Sequence, residues 1–273
     1  MQARPLTEAD LPRAVALSTL VGWNQTAADW RAFLEGGAVR ALDDDHPDCL
    51  AATAAVLPFG RDLAWISMVL VRPDRRREGL ATRLMRWAVE HLHGTRCAAL
   101  DATPAGREVY RGLGFADAFG FARWRLDGPL RAPPVPVRPV LEADWPSLLA
   151  RDAEAFGAPR GALLRGFARR APVSAWIAED GSGFVLGRDG VRAPQIGPVV
   201  AADGATAAAL VAAAQRATGG PVLIDVTDVA GELLSAMREA GAERLRPFTR
   251  MALGAPPPGD MRQLVAMAGP EFG

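Results

Sequence analysis

The sequence predicts a mixed α/β (α+β) fold built as two tandem domains. Short apolar runs of strand length alternate with stretches whose apolar residues recur at helical spacing. An internal repeat is also visible, because the segment Arg-Pro-Leu-Thr-Glu-Ala-Asp-Leu-Pro at 4–12 recurs as Arg-Pro-Val-Leu-Glu-Ala-Asp-Trp-Pro at 138–146. The proline-rich segment 129–136 between the copies is typical of a semi-rigid linker. We therefore assign residues 1–128 to one domain and 137–273 to the other.

In the first half, strands and helices alternate. Residues 51–57 and 63–71 are apolar runs of strand length, and the second is bounded by turn residues, which predicts a buried central strand there. Apolar residues at helical spacing predict a helix over 80–91. Two further strands are expected at 97–102 and 119–126.

The second half repeats parts of this pattern. The run Leu-Asp-Ala-Thr at 100–103 recurs as Ile-Asp-Val-Thr at 224–227. Helices are expected over 160–170 and 205–216. The tail is expected to form a strand at 263–267 and then a Gly-Pro end.

Composition and charge exclude several classes of function. The chain has 273 residues and a formal net charge of zero, so no global field favours nucleic acid. No apolar span reaches the length of a membrane helix, and the N-terminus lacks a signal-peptide pattern. The absence of lysine excludes Schiff-base chemistry. Cys49 and Cys97 lack metal-site spacing, so we expect reduced thiols and no metal. Together, these observations predict a cytoplasmic protein without a membrane or nucleic-acid partner.

A strand, a turn and a helix start meet at residues 72–82. A helix start leaves backbone N–H groups without partners and carries the positive end of the helix dipole, so this junction can bind a diphosphate. Gly79 allows close approach of the backbone, Thr82 adds a hydroxyl, and the arginines at 75–77 add planar cations suited to phosphate. The patterns of a Walker loop and of a dinucleotide-binding loop are both absent.

This junction resembles the acetyl-CoA signature of the GCN5-related N-acetyltransferase (GNAT) family, Arg/Gln-x-x-Gly-x-Gly/Ala. The matching residues are Arg76, Gly79 and Ala81, and they follow a Val-x-Val-x-Pro strand. The resemblance implies a central mixed, mostly antiparallel sheet flanked by helices in each domain.

A second segment resembles the family's Asn-x-x-Ala-x-x-x-Tyr-x-x-x-Gly-Phe element. Tyr110, Gly114 and Phe115 are in register, whereas Thr103 and Gly106 replace the family's Asn and Ala. In the family, the central strand separates from its neighbour, and backbone groups there bind the acetyl carbonyl and the pantetheine arm. Carried over residue by residue, the expected acetyl-CoA contacts are Val69, Val71, Arg76, Arg77, Glu78, Gly79, Leu80, Ala81, Thr82, Thr103 and Arg107.

The resemblance also implies catalytic residues. Tyr110, the only tyrosine, stands where family members often protonate the departing thiolate, and the alternative is a core residue with one structural hydrogen bond. The family's glutamate on the central strand is absent here, so Asp101 is the nearest acid for the role of base. Asp101 could equally be a structural acceptor, with water held by backbone carbonyls as the base.

The acceptor side is predicted at Trp23 and Asn24. Family members line the acceptor pocket with such a segment, and an aromatic wall could hold an amine by apolar and cation–π contacts. The second domain has lost this chemistry, since Asp203 stands where a diphosphate would be repelled and Met237 replaces the tyrosine. We expect it to pack on the first domain or to shape its acceptor pocket.

The predicted function is that of an acyltransferase, an acetyl-CoA-dependent N-acetyltransferase. It would transfer an acetyl group to a primary amine of a small molecule, or to a protein amine, by direct attack in a ternary complex. The alternatives are a regulatory module that binds acyl-CoA without turnover and a transferase of a longer acyl group. The chain is expected to be a monomer or a homodimer.

Overall fold

The computed structural model describes residues 3–273, and its first half has the predicted alternation of strands and helices. Its elements are β1 (Arg4–Pro5), α1 (Leu11–Leu20), α2 (Ala27–Gly36), β2 (Ala38–Asp43), β3 (Leu50–Phe59), β4 (Leu63–Val71), α3 (Leu80–His91), β5 (Cys97–Ala102), α4 (Pro104–Arg111) and β6 (Ala116–Leu126). The central strand β4 and the helix α3 have the limits that the sequence predicted.

The second half repeats this order and adds one strand. Its elements are β7 (Val137–Pro139), α5 (Trp145–Phe156), α6 (Gly161–Arg170), β8 (Trp176–Ala178), β9 (Gly183–Arg188), β10 (Gln195–Ala201), α7 (Gly204–Thr218), β11 (Val222–Thr227), α8 (Gly231–Glu239), β12 (Glu243–Gly254) and β13 (Leu264–Ala266). The sequence repeat is also a repeat of contacts, because Arg4 donates to both oxygens of Asp10 at 2.7 and 2.8 Å and Arg138 does the same to Asp144. Two tandem halves of one fold are confirmed.

All strands join in one sheet, in the order β1-β2-β3-β4-β5-β12-β6-β11-β13-β10-β9-β8-β7. Most neighbours are antiparallel, as expected, and the β4–β5 and β10–β11 pairs are parallel. β6 lies between β12 and β11, and β12 lies between β5 and β6. The long strand that follows the last helix of each half therefore lies beside a strand of the other half: β6 lies beside β11, and β12 lies beside β5. The sequence did not predict this exchange.

Two buried ion pairs fix the exchanged strands. Arg250 on β12 lies opposite Asp101 on β5 and donates to both carboxylate oxygens at 2.9 Å. Arg123 on β6 lies opposite Asp225 on β11 and donates in the same way at 2.9 and 2.7 Å. Both carboxylates have no exposed surface. Because a buried charge that loses its partner is costly, each pair selects one register for an exchanged strand.

The added strand β13 fills a gap in the second half. The parallel strands β10 and β11 are in register at Ile196 and Ile224. Further along, Val199 of β10 and Val226 of β11 both pair with Ala266 of β13. The wedge between these two strands is thus closed by the chain itself.

The segment after β13 packs against the first half. Phe272 stacks on Phe33 of α2 with 4.9 Å between ring centroids. The indole Nε1 of Trp65 on β4 donates to the carbonyl of Pro270 at 3.0 Å. The largest hydrophobic cluster therefore combines residues of both halves.

Helices cover the sheet at equivalent places in the two halves. α3 packs against β3 and β4, and α7 packs against β9 and β10. α3 is amphipathic and buries Leu80, Leu84, Met85 and Ala88, whereas α7 is buried along most of its length. Of the helices formed by residues 3–273, none is long and apolar enough to cross a membrane.

We expect the substitution Asp225→Asn to lower the free energy of unfolding by about 3–5 kcal/mol, because it leaves the Arg123 charge buried without its counter-ion. Urea unfolding followed by circular dichroism measures the effect. Asp127→Asn is the matched control, since it removes an acid that pairs with an arginine on the same strand at the surface. Equal shifts of the two unfolding midpoints would show that the buried pair does not stabilise the exchange.

Candidate active site

The first half contains an open wedge where the second half is closed. β4 and β5 pair in parallel only from Leu63 to Trp65. β4 then carries a bulge, because Met68 and Val69 have no register partner on β3 and Met68 adopts a φ of 52°. Thr53 Oγ1 donates to the Met68 carbonyl at 2.9 Å and holds this strained residue in place. The bulge turns β4 away from β5 and leaves backbone groups of Met68 and Val69 outside the ladder.

The predicted diphosphate loop leads into α3. Gly79 precedes the helix with a φ of 77°, no side chain caps the helix start, and a Cβ on Gly79 would meet no atom within 4 Å. Arg76 and Arg77 are exposed and make no hydrogen bond or ion pair with residues 3–273, whereas Arg75 is held by Glu78 at 3.0 Å. The N–H groups at the helix start and two arginines are thus available to an anion.

The equivalent helix start in the second half is already occupied. Asp203 precedes α7, and its Oδ1 accepts a hydrogen bond from Thr206 N at 2.7 Å. A carboxylate therefore takes the position that an anionic ligand would need. Together with β13 in the neighbouring wedge, this leaves the second half without a cleft of the kind found in the first.

A small cavity, partly open to solvent, lies at the wedge between β4 and β5. From the first half it is lined by Trp23, Gln25, Ile66, Ser67, Met68, Val69, Leu100, Asp101, Thr103, Tyr110 and Arg123. From the second half it is lined by Arg246, Phe248, Pro270 and Glu271. The cavity is therefore built by both halves.

Tyr110 lies at this cavity with a free hydroxyl. Within the described chain the hydroxyl makes no hydrogen bond, and burial raises the pKa of Tyr110 to about 12. Gly106 makes room for the ring, since a Cβ there would lie 2.9 Å from a ring carbon of Tyr110. The phenol is thus protonated at neutral pH and able to donate into the cavity.

Met237 is the structural counterpart of Tyr110 in the second half. Phe115 N donates to the Tyr110 carbonyl, and Ala242 N donates to the Met237 carbonyl at the same place in the fold. The sequence repeat therefore aligns Tyr110 with Met237 in the same way as the structure does.

Asp101 reaches the cavity wall, but its side chain is engaged in the ion pair with Arg250. Asp225 makes the same pair with Arg123 in the half that lacks the tyrosine. This symmetry favours the structural alternative for Asp101, so its role as a base stays a prediction that the geometry does not support.

Two predicted acetyl-CoA contacts are engaged within the protein. Thr103 caps α4, with its hydroxyl accepting from Gly106 N at 3.3 Å. Arg107 forms an ion pair with Asp117. Val69 lies at the bulge and lines the cavity, whereas Val71 pairs with Ala52 further along β4.

The predicted acceptor residues separate in the structure. Trp23 lines the cavity. Asn24 does not, because its Oδ1 accepts from the backbone of Arg192 and Ala193 and its Nδ2 donates to the Ala193 carbonyl at 2.9 Å. Asn24 therefore connects the halves, and the neighbouring Gln25 reaches the cavity instead.

Sequence reasoning missed four cavity residues of the second half, namely Arg246, Phe248, Pro270 and Glu271. They arrive through the strand exchange and through the segment after β13, neither of which has a local sequence signal. The Gly-Pro end of the tail was the one visible pointer.

Two family models match the chain on either side of residues 129–136. A model described as the acetyltransferase (GNAT) family matches residues 11–115, and one described as an acetyltransferase (GNAT) domain matches residues 148–266. A curated relative, YitH of Bacillus subtilis, is described as an uncharacterised N-acetyltransferase. It is 26% identical over 197 residues, which is 67% of each chain.

Solved structures share the fold of the whole chain. A candidate acetyltransferase of Pyrococcus horikoshii is similar with a TM-score of 0.84 and 21% identity, over 100% of this chain and 95% of that one. A tandem GNAT protein from the clavulanic acid biosynthesis pathway is similar with a TM-score of 0.66 and 17% identity, over 92% of this chain and 98% of that one.

We expect Gly79→Asp to weaken binding of acetyl-CoA by roughly a hundredfold or more, because the new carboxylate faces the diphosphate at the start of α3. Calorimetry should give one acetyl-CoA per wild-type chain. Gly60→Asp is the matched control, since Gly60 has nearly the same φ, 79°, and also has open space around a Cβ. Binding that survives in Gly79→Asp would place the ligand elsewhere.

Proposed function

The chain belongs to the GNAT family of acetyltransferases, and on that premise we propose that its first half transfers an acetyl group from acetyl-CoA to a primary amine. One observation carries the proposal: the uncapped start of α3 and the open wedge between β4 and β5 lead to a cavity in which Tyr110 has a free hydroxyl. The second half has the same fold without any of these three features.

The residues around α3 fit the phosphates of acetyl-CoA. The left-handed Gly79 exposes the backbone of the loop, and the N–H groups from Arg76 to Thr82 would donate to the diphosphate. Arg76 and Arg77 would add charge-assisted hydrogen bonds. The pantetheine arm would follow the wedge to the bulge at Met68 and Val69, where backbone N–H groups would polarise the thioester carbonyl.

Acetyl-CoA supplies an acyl group on a good leaving group, and the residues of the chain direct its transfer. A neutral amine nitrogen forms the new N–C bond as the C–S bond breaks, and the amine gives up one proton while the sulfur gains one. Tyr110 would donate the proton to the sulfur, because it lines the cavity, makes no hydrogen bond within residues 3–273 and is protonated at neutral pH.

The transfer is direct, without an acyl-cysteine. Neither cysteine is among the residues that line the cavity. Cys97 is buried on β5, and burial raises the pKa of its thiol, which disfavours the nucleophilic thiolate. The amine and acetyl-CoA must therefore be bound together, and the cavity wall from the second half would hold the amine.

We expect Tyr110→Phe to lower kcat by about a hundredfold or more while the Kd for acetyl-CoA stays within a factor of about two, because only the proton donor is lost. Steady-state kinetics and calorimetry separate the two quantities. Unchanged turnover would remove Tyr110 from the mechanism, and acetyl-CoA binding without turnover of any amine by the wild type would indicate a regulatory module.

The pKa of this phenol can be read directly, because the chain has one tyrosine. We expect its near-ultraviolet absorbance to titrate at about 12 in the folded protein and near the ordinary value of about 10 after unfolding. The wild-type rate should then show no alkaline decline from tyrosine ionisation below about pH 10. A folded-state pKa near the ordinary value would show that the surroundings of Tyr110 do not raise it.

A further inference from the structure

Besides the Ser67 hydroxyl, two buried acceptor atoms of residues that line the cavity have no hydrogen-bond partner among residues 3–273. Glu271 is 2% exposed; its Oε1 accepts from Arg188, and its Oε2 has no hydrogen bond partner among residues 3–273. Gln25 is 1% exposed, and its Oε1 likewise has no partner within that range. An unmade hydrogen bond at a buried carboxylate or amide oxygen is costly, so these atoms are suited to a ligand that donates.

A third polar group at the cavity is a cation without an acid. Arg246 is half-buried against the ring of Phe248, with 4.8 Å from its guanidinium carbon to the ring centroid. In the described chain it makes no hydrogen bond or ion pair, and its Nε is fully enclosed. Burial and the nearby Arg123 lower its pKa, while Asp225 and Glu271 act at longer range to raise it. Its neighbour Arg123 forms an ion pair with Asp225, whereas Arg246 forms none among residues 3–273.

A second, larger groove shares these two arginines with the cavity. Arg123 and Arg246 line both spaces, and the groove adds Arg125 and Arg192. No Asp or Glu is among the described residues that line the groove. Such a surface attracts anions and repels a second ammonium group on a ligand. No residue of the loop 72–82 contributes to it, so it is separate from the diphosphate loop.

We propose that the acceptor is a small primary amine that carries its own anionic group, a carboxylate or a phosphate. The amine end lies at Glu271 and Gln25, which line the same cavity as Tyr110, and the anionic end lies at Arg246, which also lines the groove. Guanidinium binds either anion through paired N–H donors, which is the chemistry the two ligand types share. This inference rests on the proposed acetyl transfer and names its substrate class.

Primary amines of equal chain length that end in a carboxylate, a phosphate, a methyl group or a second ammonium test the proposal. With the wild-type enzyme, we expect kcat/KM for one of the two anionic amines to exceed that for the methyl-terminated amine by roughly 10- to 100-fold. The ratio between the two anionic amines identifies the anion. Calorimetry of each amine with the CoA-bound enzyme gives a readout that is independent of turnover.

Charge reversal at one residue should invert this preference. We expect Arg246→Glu to abolish the higher kcat/KM for the anionic amine and to give the diamine the highest kcat/KM. Arg246→Lys should keep part of the preference for the anionic amine. Arg244→Glu is the matched control, because Arg244 is exposed on the same strand and lines neither space. Equal kcat/KM for all four amines, or the same profile in Arg246→Glu and Arg244→Glu, would overturn the proposal.

The amine end has its own test. We expect Glu271→Gln to raise KM for every amine in the set by roughly tenfold or more, with the Kd for acetyl-CoA unchanged. Glu239→Gln, at an exposed glutamate, should leave both unchanged. An unaltered KM in Glu271→Gln would remove Glu271 from the acceptor site. Turnover without anion preference overturns only the substrate class, whereas absence of acetyl-CoA binding in the wild type overturns the proposed function and this inference with it.

Discussion

The rest of the structure depends on the two buried Asp–Arg pairs across the exchanged strands. Arg250 lies opposite Asp101 and Arg123 lies opposite Asp225, each in direct cross-strand register. Each pair joins one half to the other, and a shift of the strand register by one residue would separate the two buried charges of a pair. The register of β12 in turn brings Arg246 and Phe248 to the cavity of the first half. The buried ion pairs that fix the strand register thus also complete the candidate active site.

The halves share a fold and differ at a few atoms that decide their chemistry. At the start of α3 a left-handed glycine leaves N–H groups free, and at the start of α7 the carboxylate of Asp203 takes one of them. In the first half the wedge between parallel strands is open, and in the second β13 fills it. The halves therefore differ at the helix start and at the wedge while keeping the same order of their other elements. The second half supplies walls and polar groups to the cavity of the first.

The sequence was sufficient to predict the features that depend on residues close together in the chain. The limits of β4 and α3 and the repeat of halves all follow from short patterns and are confirmed. The sequence could not decide whether Asp101 is a base or a structural acceptor, because its partner Arg250 is 149 positions away in the chain. Glu271 and Arg246 escaped notice because a single carboxylate or arginine has no meaning until the sheet places it. Asn24 was expected at the acceptor pocket, but Gln25 lines the cavity and Asn24 contacts the second half, because a shift of one residue decides which side chain faces the cavity.

The strand exchange also sets the order in which the molecule can be completed. β5 emerges early in synthesis, but its neighbour β12 is made only after a further stretch of about half of the chain's length. Until then the first half presents an open strand edge and a buried aspartate without its arginine, both of which favour association with other chains. Contacts of such long sequence separation also slow folding. The first half consequently acquires its complete sheet only when β11 and β12 of the second half have joined it.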